Sequence, residues 1–82
     1  MWCVYGLICK DRSLYIGSTN NLKRRLFEHQ SGKSLSIKGR LPCKLEFYVV
    51  VKNERIARRL EKYFKTGSGK AILKKRILNH EA

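Results

Sequence analysis

The sequence predicts a small α/β (α+β) domain with three strands and three helices in the order β-β-α-β-α-α. Three observations carry this reading. Two short runs rich in Val, Ile, Leu and Tyr are split by the polar Lys10-Asp11-Arg12, a third apolar run at 45–51 stands apart from them, and stretches of helical spacing follow good capping residues. The chain's 82 residues suit one domain over 1–82. A domain of that size buries only about 60% of the surface its unfolded chain exposes. Its apolar fraction of 43% is that of a protein that folds.

Residues 2–9 and 13–18 form the expected hairpin. Alternation puts Cys3, Tyr5, Leu7 and Cys9 on one face of the first strand, and Trp2, Val4, Gly6 and Ile8 on the other. The uncharged start of this strand lacks the basic region of a signal sequence and is followed at once by charge, so it reads as a buried strand. Thr19, Asn20 and Asn21 offer N-cap chemistry for a helix over 22–30, which Ser31-Gly32 stops. Gly39 and Pro42 mark 33–44 as a connection with little regular structure. The β-branched and aromatic run 45–51 is the third strand. Asn53 caps a second helix over 54–65, ended by Thr66-Gly67, and a third helix is expected over 70–78. The chain has no internal repeat and no low-complexity segment.

Nineteen Lys and Arg against six Asp and Glu give a net charge of +13, spread along the whole chain. A field of that sign favours a polyanion, and nucleic acid is the first expected partner because phosphate neutralisation supplies most sequence-independent affinity. Lys23, Arg24, Lys38, Arg40, Arg58, Lys62, Lys65 and Lys70 are the candidate phosphate-contacting residues. An anionic membrane is the rival, but 68–78 fits an amphipathic anchor only weakly, and no run approaches the ~20 apolar residues of a spanning helix. Cys3, Cys9 and Cys43 form an odd, widely spaced set without a C-x-x-C pair, which speaks for reduced thiols and a cytoplasmic location. On one strand, Cys3 and Cys9 are too far apart to bridge.

Several polar residues stand where apolar ones belong. Around the first helix, Arg25 and His29 share an arc of roughly 100° with Leu22 and Leu26. Arg25 can snorkel past the core and His29 can be a structural histidine; both can equally line a site. Glu61 lies at the edge of the second helix's apolar arc among cations. It is either an ion-pair partner of Arg58 or Lys65, or a metal ligand of the kind Mg²⁺ uses, one carboxylate completed by waters and phosphate. Tyr5 and Tyr15 sit on adjacent strands, where cross-strand neighbours approach within about 5.5 Å. A phenol is a poor base unless a cation such as Arg25 or a metal lowers its pKa, and the basic surroundings are suited to that. Gly67-Ser68-Gly69-Lys70 imitates a phosphate loop, but Phe64 replaces the first glycine and Ala71 the Ser or Thr, so it reads as a helix-helix turn whose Lys70 can still meet a phosphate.

Together these residues resemble the GIY-YIG endonuclease superfamily over nearly the whole chain. Val4-Tyr5-Gly6 stands in the first motif and Tyr15-Ile16-Gly17 in the second. Arg25 and His29 follow Tyr15 at the family's spacings of ten and fourteen residues, and Glu61 matches its metal-binding glutamate. The likeness extends to the compact standalone (YhbQ-like) bacterial branch and to the nuclease domain of the excision-repair subunit UvrC. The chain's length fits the standalone branch rather than UvrC itself or homing endonucleases, which carry further DNA-binding domains. The resemblance implies a three-stranded antiparallel sheet flanked by helices and one Mg²⁺ or Mn²⁺ ion on Glu61. It further implies Tyr15 as general base, Tyr5 and His29 as orienting partners, and Arg25 as the stabiliser of charge on the phosphate. The chain departs from the family in reading VYG in the first motif and in having Leu73 where some branches carry a late asparagine.

The expected activity is therefore metal-dependent hydrolysis of phosphodiester bonds in DNA, which is favoured over RNA, by a structure-directed or weakly specific endonuclease of DNA repair or recombination. One alternative is a non-catalytic basic nucleic-acid-binding module that retains the fold. Another is a catalytic half whose specificity comes from a protein partner.

Overall fold

A computed structural model describes residues 1–32 and 38–77. The elements are β1 (Trp2–Cys9), β2 (Leu14–Thr19), α1 (Leu22–Gln30), a short 3-10 turn (Lys38–Arg40), β3 (Cys43–Val51), α2 (Glu54–Phe64) and α3 (Gly67–Ile72). A π-helical turn, Leu73–Ile77, prolongs α3. The strands form one antiparallel sheet in the order β2-β1-β3, so β2 and β3 are its edges.

The sheet is apolar on both faces because β1 alternates as its sequence predicts. Val4, Ile16 and Phe47 pack with Ala57, Phe64 and Leu73 beneath α2 and α3. Tyr5, Leu7, Cys9 and Cys43 pack on the opposite face with Leu22 and Leu26 of α1. Gly6 allows this layering, since a Cβ there would lie 2.1 Å from the Phe47 ring.

Capping chemistry sets the helix starts. Asn21 accepts the Arg24 N–H at 3.0 Å and Asn53 the Ile56 N–H at 3.0 Å, each filling one of the four orphan donors of a first turn. The α1 boundaries agree with the expectation; α2 ends one residue early, with Lys65 as its cap.

Elsewhere the boundaries shift for identifiable reasons. β2 spans 14–19 rather than 13–18, because Ser13 closes the turn by accepting the Cys9 N–H at 2.9 Å. β3 begins at Cys43, two residues before the expected start, since Cys43 and Lys44 still pair with Cys9 and Ile8. A one-residue register shift between Gly6 and Leu7 changes the phase of β3, so Cys43 and Leu45 pack on the α1 face while Phe47 and Val49 pack beneath α2 and α3. α3 starts at Gly67 rather than Lys70, because Thr66 caps it by accepting the Gly69 N–H at 3.0 Å. The stretch expected to be a turn is therefore the helix's first turn. The first part of the expected irregular connection, 33–37, and the expected end of the last helix at Leu78 lie outside the described residues.

The three cysteines are free and buried. The two that meet are Cys9 and Cys43, with Sγ atoms 2.6 Å apart across paired strands. Burial, reinforced by the Cys9 thiol, pushes Cys43 up to about 12.

Candidate active site

On the α1 face, the apolar arc carries Arg25 and His29 against β1. His29 is fully buried, and its Nε2 lies 2.7 Å from the hydroxyl of Tyr5, which is 1% exposed. Tyr15 completes the cluster, its ring 5.3 Å from the His29 ring edge-on and 6.4 Å from the Tyr5 ring. The two tyrosines are neighbours on adjacent strands, as expected, in a diagonal and not a directly opposed arrangement. Tyr5 faces Gly17 in the register and Tyr15 faces Leu7. Gly17 makes room for Tyr5, because a Cβ there would lie 2.5 Å from the phenol oxygen. The Tyr5 ring thus crosses Gly17 to reach the outer edge of β2.

Electrostatics distinguish these groups. Burial pushes Tyr5 up to about 12, overcoming the Arg25 hydrogen bond that pulls it down. The expectation that cations lower a phenol here therefore fails for Tyr5, because desolvation of the phenolate is the larger effect. Burial and then the Arg25 charge hold His29 below its ordinary value, against Glu28, so the imidazole is neutral at neutral pH. His29 Nδ1 has no hydrogen-bond partner among the described residues. A buried N–H without an acceptor is costlier than a bare lone pair, so the favoured tautomer has Nε2–H donating to Tyr5. The Tyr5 hydroxyl hydrogen is then free to point toward a bound group. Arg25 is about one-third exposed, donates to Glu28 at 3.0 Å and lies beside the Tyr5 hydroxyl.

Glu61 comes from the other face. Its Oε1 accepts the Ser18 hydroxyl at 2.6 Å, and its Oε2 pairs with Lys65 at 2.8 Å. Burial alone would raise this carboxyl, but the hydrogen bonds from Lys65 and Ser18 and the charges of Lys65 and Arg58 keep it below the usual range. Tyr5 and Glu61 consequently approach successive residues of the edge strand, Gly17 and Ser18, from opposite sides of the sheet. They are close enough that the Glu61 charge raises Tyr5. Among the described residues no group of three or more His, Cys, Asp and Glu could enclose a metal. What Glu61 offers is one ionised carboxylate with spare lone pairs, which fits a hydrated oxygen-seeking ion. Lys65 is more than half exposed on a long flexible side chain, so it can swing into solvent and yield the oxygen of the largely buried Glu61.

The candidate cations separate into groups. Lys23, Lys62 and Lys70 are exposed. Arg24 and Arg58 pair with Glu28 and Glu54 at helical spacing, and Arg58 also lies over the Trp2 ring. Lys65 holds Glu61, while Arg40 is engaged by Ser13 and Asp11. The side chain of Lys38 lies outside the described residues. Reading from the sequence missed Ser18 and the clearance at Gly17. Gly17 left a signal, as a glycine inside a strand two residues beyond a tyrosine, whereas Ser18 left none.

Comparison with known proteins agrees with this architecture. The protein-family model described as the GIY-YIG catalytic domain matches residues 1–76. A UPF0213 protein of Bacillus licheniformis is 43% identical over 67 residues, covering 80% of this chain and 69% of its own length. A UPF0213 protein of Clostridium perfringens is 44% identical over 63 residues, covering 76% and 68%. The solution NMR structure of a UPF0213 protein from Bacillus halodurans superposes with a TM-score of 0.57 at 34% identity, covering 92% of this chain and 84% of that one.

Proposed function

The chain belongs to the GIY-YIG catalytic-domain family, in its compact standalone UPF0213 branch, and from that premise we propose that it is a divalent-metal-dependent DNA endonuclease, structure-directed or weakly specific, acting in repair or recombination. Residues 1–82 would act as one nuclease domain. The observation that carries this reading is the convergence of Tyr5 with His29 and Arg25 from one face, and of Glu61 from the other, on the β2 edge at Gly17-Ser18.

The surroundings of each residue support a role for it. Glu61 would hold Mg²⁺ or Mn²⁺ together with waters and a substrate phosphate, and the ion when bound supplies Lewis-acid stabilisation of charge on that phosphate. Arg25, partly exposed and always charged, would bind the phosphate oxygens as negative charge accumulates there. Tyr5 stays a neutral phenol and serves as a hydrogen-bonding group oriented by His29. Tyr15, whose ring lies against His29 and near Tyr5, would serve as the general base and take the proton of the attacking water. Lys65 would leave Glu61 for the substrate backbone.

Cleavage of flapped, branched and single-stranded DNA with Mg²⁺ or Mn²⁺ tests the proposal, comparing the unmodified chain with Glu61→Ala. Loss of a transition-state charge stabiliser lowers such rates by about 10²–10³, so near-complete loss is expected; equal cleavage by both would sink it. The non-catalytic alternative is favoured by one observation, that both Glu61 oxygens already have protein partners. It predicts salt-sensitive DNA binding with no Glu61-dependent turnover.

A further inference from the structure

We infer that the cleft between the β1–β2 turn and α3 is a nucleotide-binding site, which seats one unpaired nucleotide of the nucleic acid with its phosphate on Arg12, Lys70 and Lys74 and its base on Ile8 and Leu14. This deepens the nuclease reading and rests on it. The cleft measures about 390 Å³ and is lined by those five residues and Ser13. That volume lies within the ~300–1,000 Å³ of small-ligand sites, enough for a mononucleotide and too small for a duplex.

Its floor is apolar. Ile8 and Leu14 are cross-strand partners, both half-buried, and face the α3 side of the sheet. An aliphatic floor accepts the flat face of any base without reading its edge. Its rim is cationic: Arg12, Lys70 and Lys74 are exposed and have no acidic partner among the described residues, whereas Glu28, Glu54 and Glu61 are each paired with a cation. Asp11, the acid nearest in sequence, is drawn instead to Ser13 and Arg40. Lys70 and Lys74 are one helical turn apart, where like charges repel, and an anion between them relieves that repulsion.

Position supports the assignment. Leu14 and Ser18 lie on the same face of β2, four residues or about 13 Å apart. A nucleotide in the cleft is therefore roughly four stacked base steps of 3.4 Å from the Glu61 carboxylate. A strand lying along β2 would reach both.

The test is a titration of the ¹⁵N-labelled full chain with thymidine 5′-monophosphate, inorganic phosphate and thymidine, each alone, followed by amide shifts. The monophosphate should shift the amides of residues 8, 12–14, 70 and 74 at concentrations about tenfold below those needed for either fragment. Arg12→Gln with Lys74→Gln should abolish that response. Lys52→Gln with Arg55→Gln, which removes two exposed charges elsewhere, should leave it intact. Inorganic phosphate matching the monophosphate, or the same response in both double variants, would overturn the inference. Cleavage unaffected by Glu61→Ala would remove the nuclease reading without changing these titrations, so the two failures are distinguishable.

Discussion

At the residue scale, the site depends on what burial does to two titratable groups. Tyr5 and His29 are both interior, and desolvation keeps both neutral. The sequence placed His29 on the apolar arc of α1 but left open whether it packs in the core or lines a site; in the structure it is buried and hydrogen-bonded to Tyr5. It could not reveal that Tyr5 resists ionisation, because that follows from how much of the sheet and α1 covers the ring. His29 carries a consequence for stability. Its folded pKa lies below the usual value near 6.5, so the unfolded chain binds the proton more readily. The stability this provides is fully present above pH 6.5 and is lost as pH falls from 6.5 toward the folded-state value. Urea midpoints at pH 7.5 and pH 5 should therefore drop more for the unmodified chain than for His29→Gln, which keeps a donor to Tyr5 but cannot titrate. Equal drops would show that His29 is not the group responsible.

At the element scale, legibility followed the strength of local chemistry. The boundaries of α1 were readable because Asn21 and Ser31-Gly32 are strong start and stop signals around a regular apolar arc. The start of α3 was not, because Gly67-Ser68-Gly69 has poor helix propensity. It is helical through a tertiary fit instead: a Cβ at Gly69 would lie 1.9 Å from the Tyr63 carbonyl oxygen, so only glycine lets α3 dock on the end of α2. The extension of β3 to Cys43 was hidden for a similar reason, since pairing with Cys9 rather than local propensity holds it. That pairing brings two thiols into contact, and their environment makes them inert. Reactive cysteines need an accessible thiolate, whereas Cys9 and Cys43 are 4% and 5% exposed and Cys43 is pushed up to about 12. Thiol titration with a disulfide reagent at pH 7.5 should be slow for all three cysteines in the folded chain and complete on unfolding. Rapid labelling of the folded chain would show that β1 and β3 separate at this end.

At the scale of the whole molecule, the excess of positive charge and the placement of edges act together. Fold class and element order were legible because hairpin, helix and strand signals occur in separate, well-punctuated stretches. The meeting of Glu61 with the Tyr5 cluster was expected only through the family resemblance and not from local patterns, because it depends on two helices covering opposite faces of one sheet and reaching its edge at adjacent residues. β2 is that edge. Its Gly17-Ser18 segment receives Tyr5 and Glu61, and its start at Leu14 borders the cationic cleft. Mn²⁺ titrated into the ¹⁵N-labelled chain tests most directly whether the β2 edge is a metal site held by Glu61, through paramagnetic broadening of nearby amides. Broadening centred on Gly17, Ser18 and the α2 turn around Glu61, and lost in Glu61→Gln, is the predicted result. Broadening that lies elsewhere, or that persists unchanged in Glu61→Gln, would contradict it.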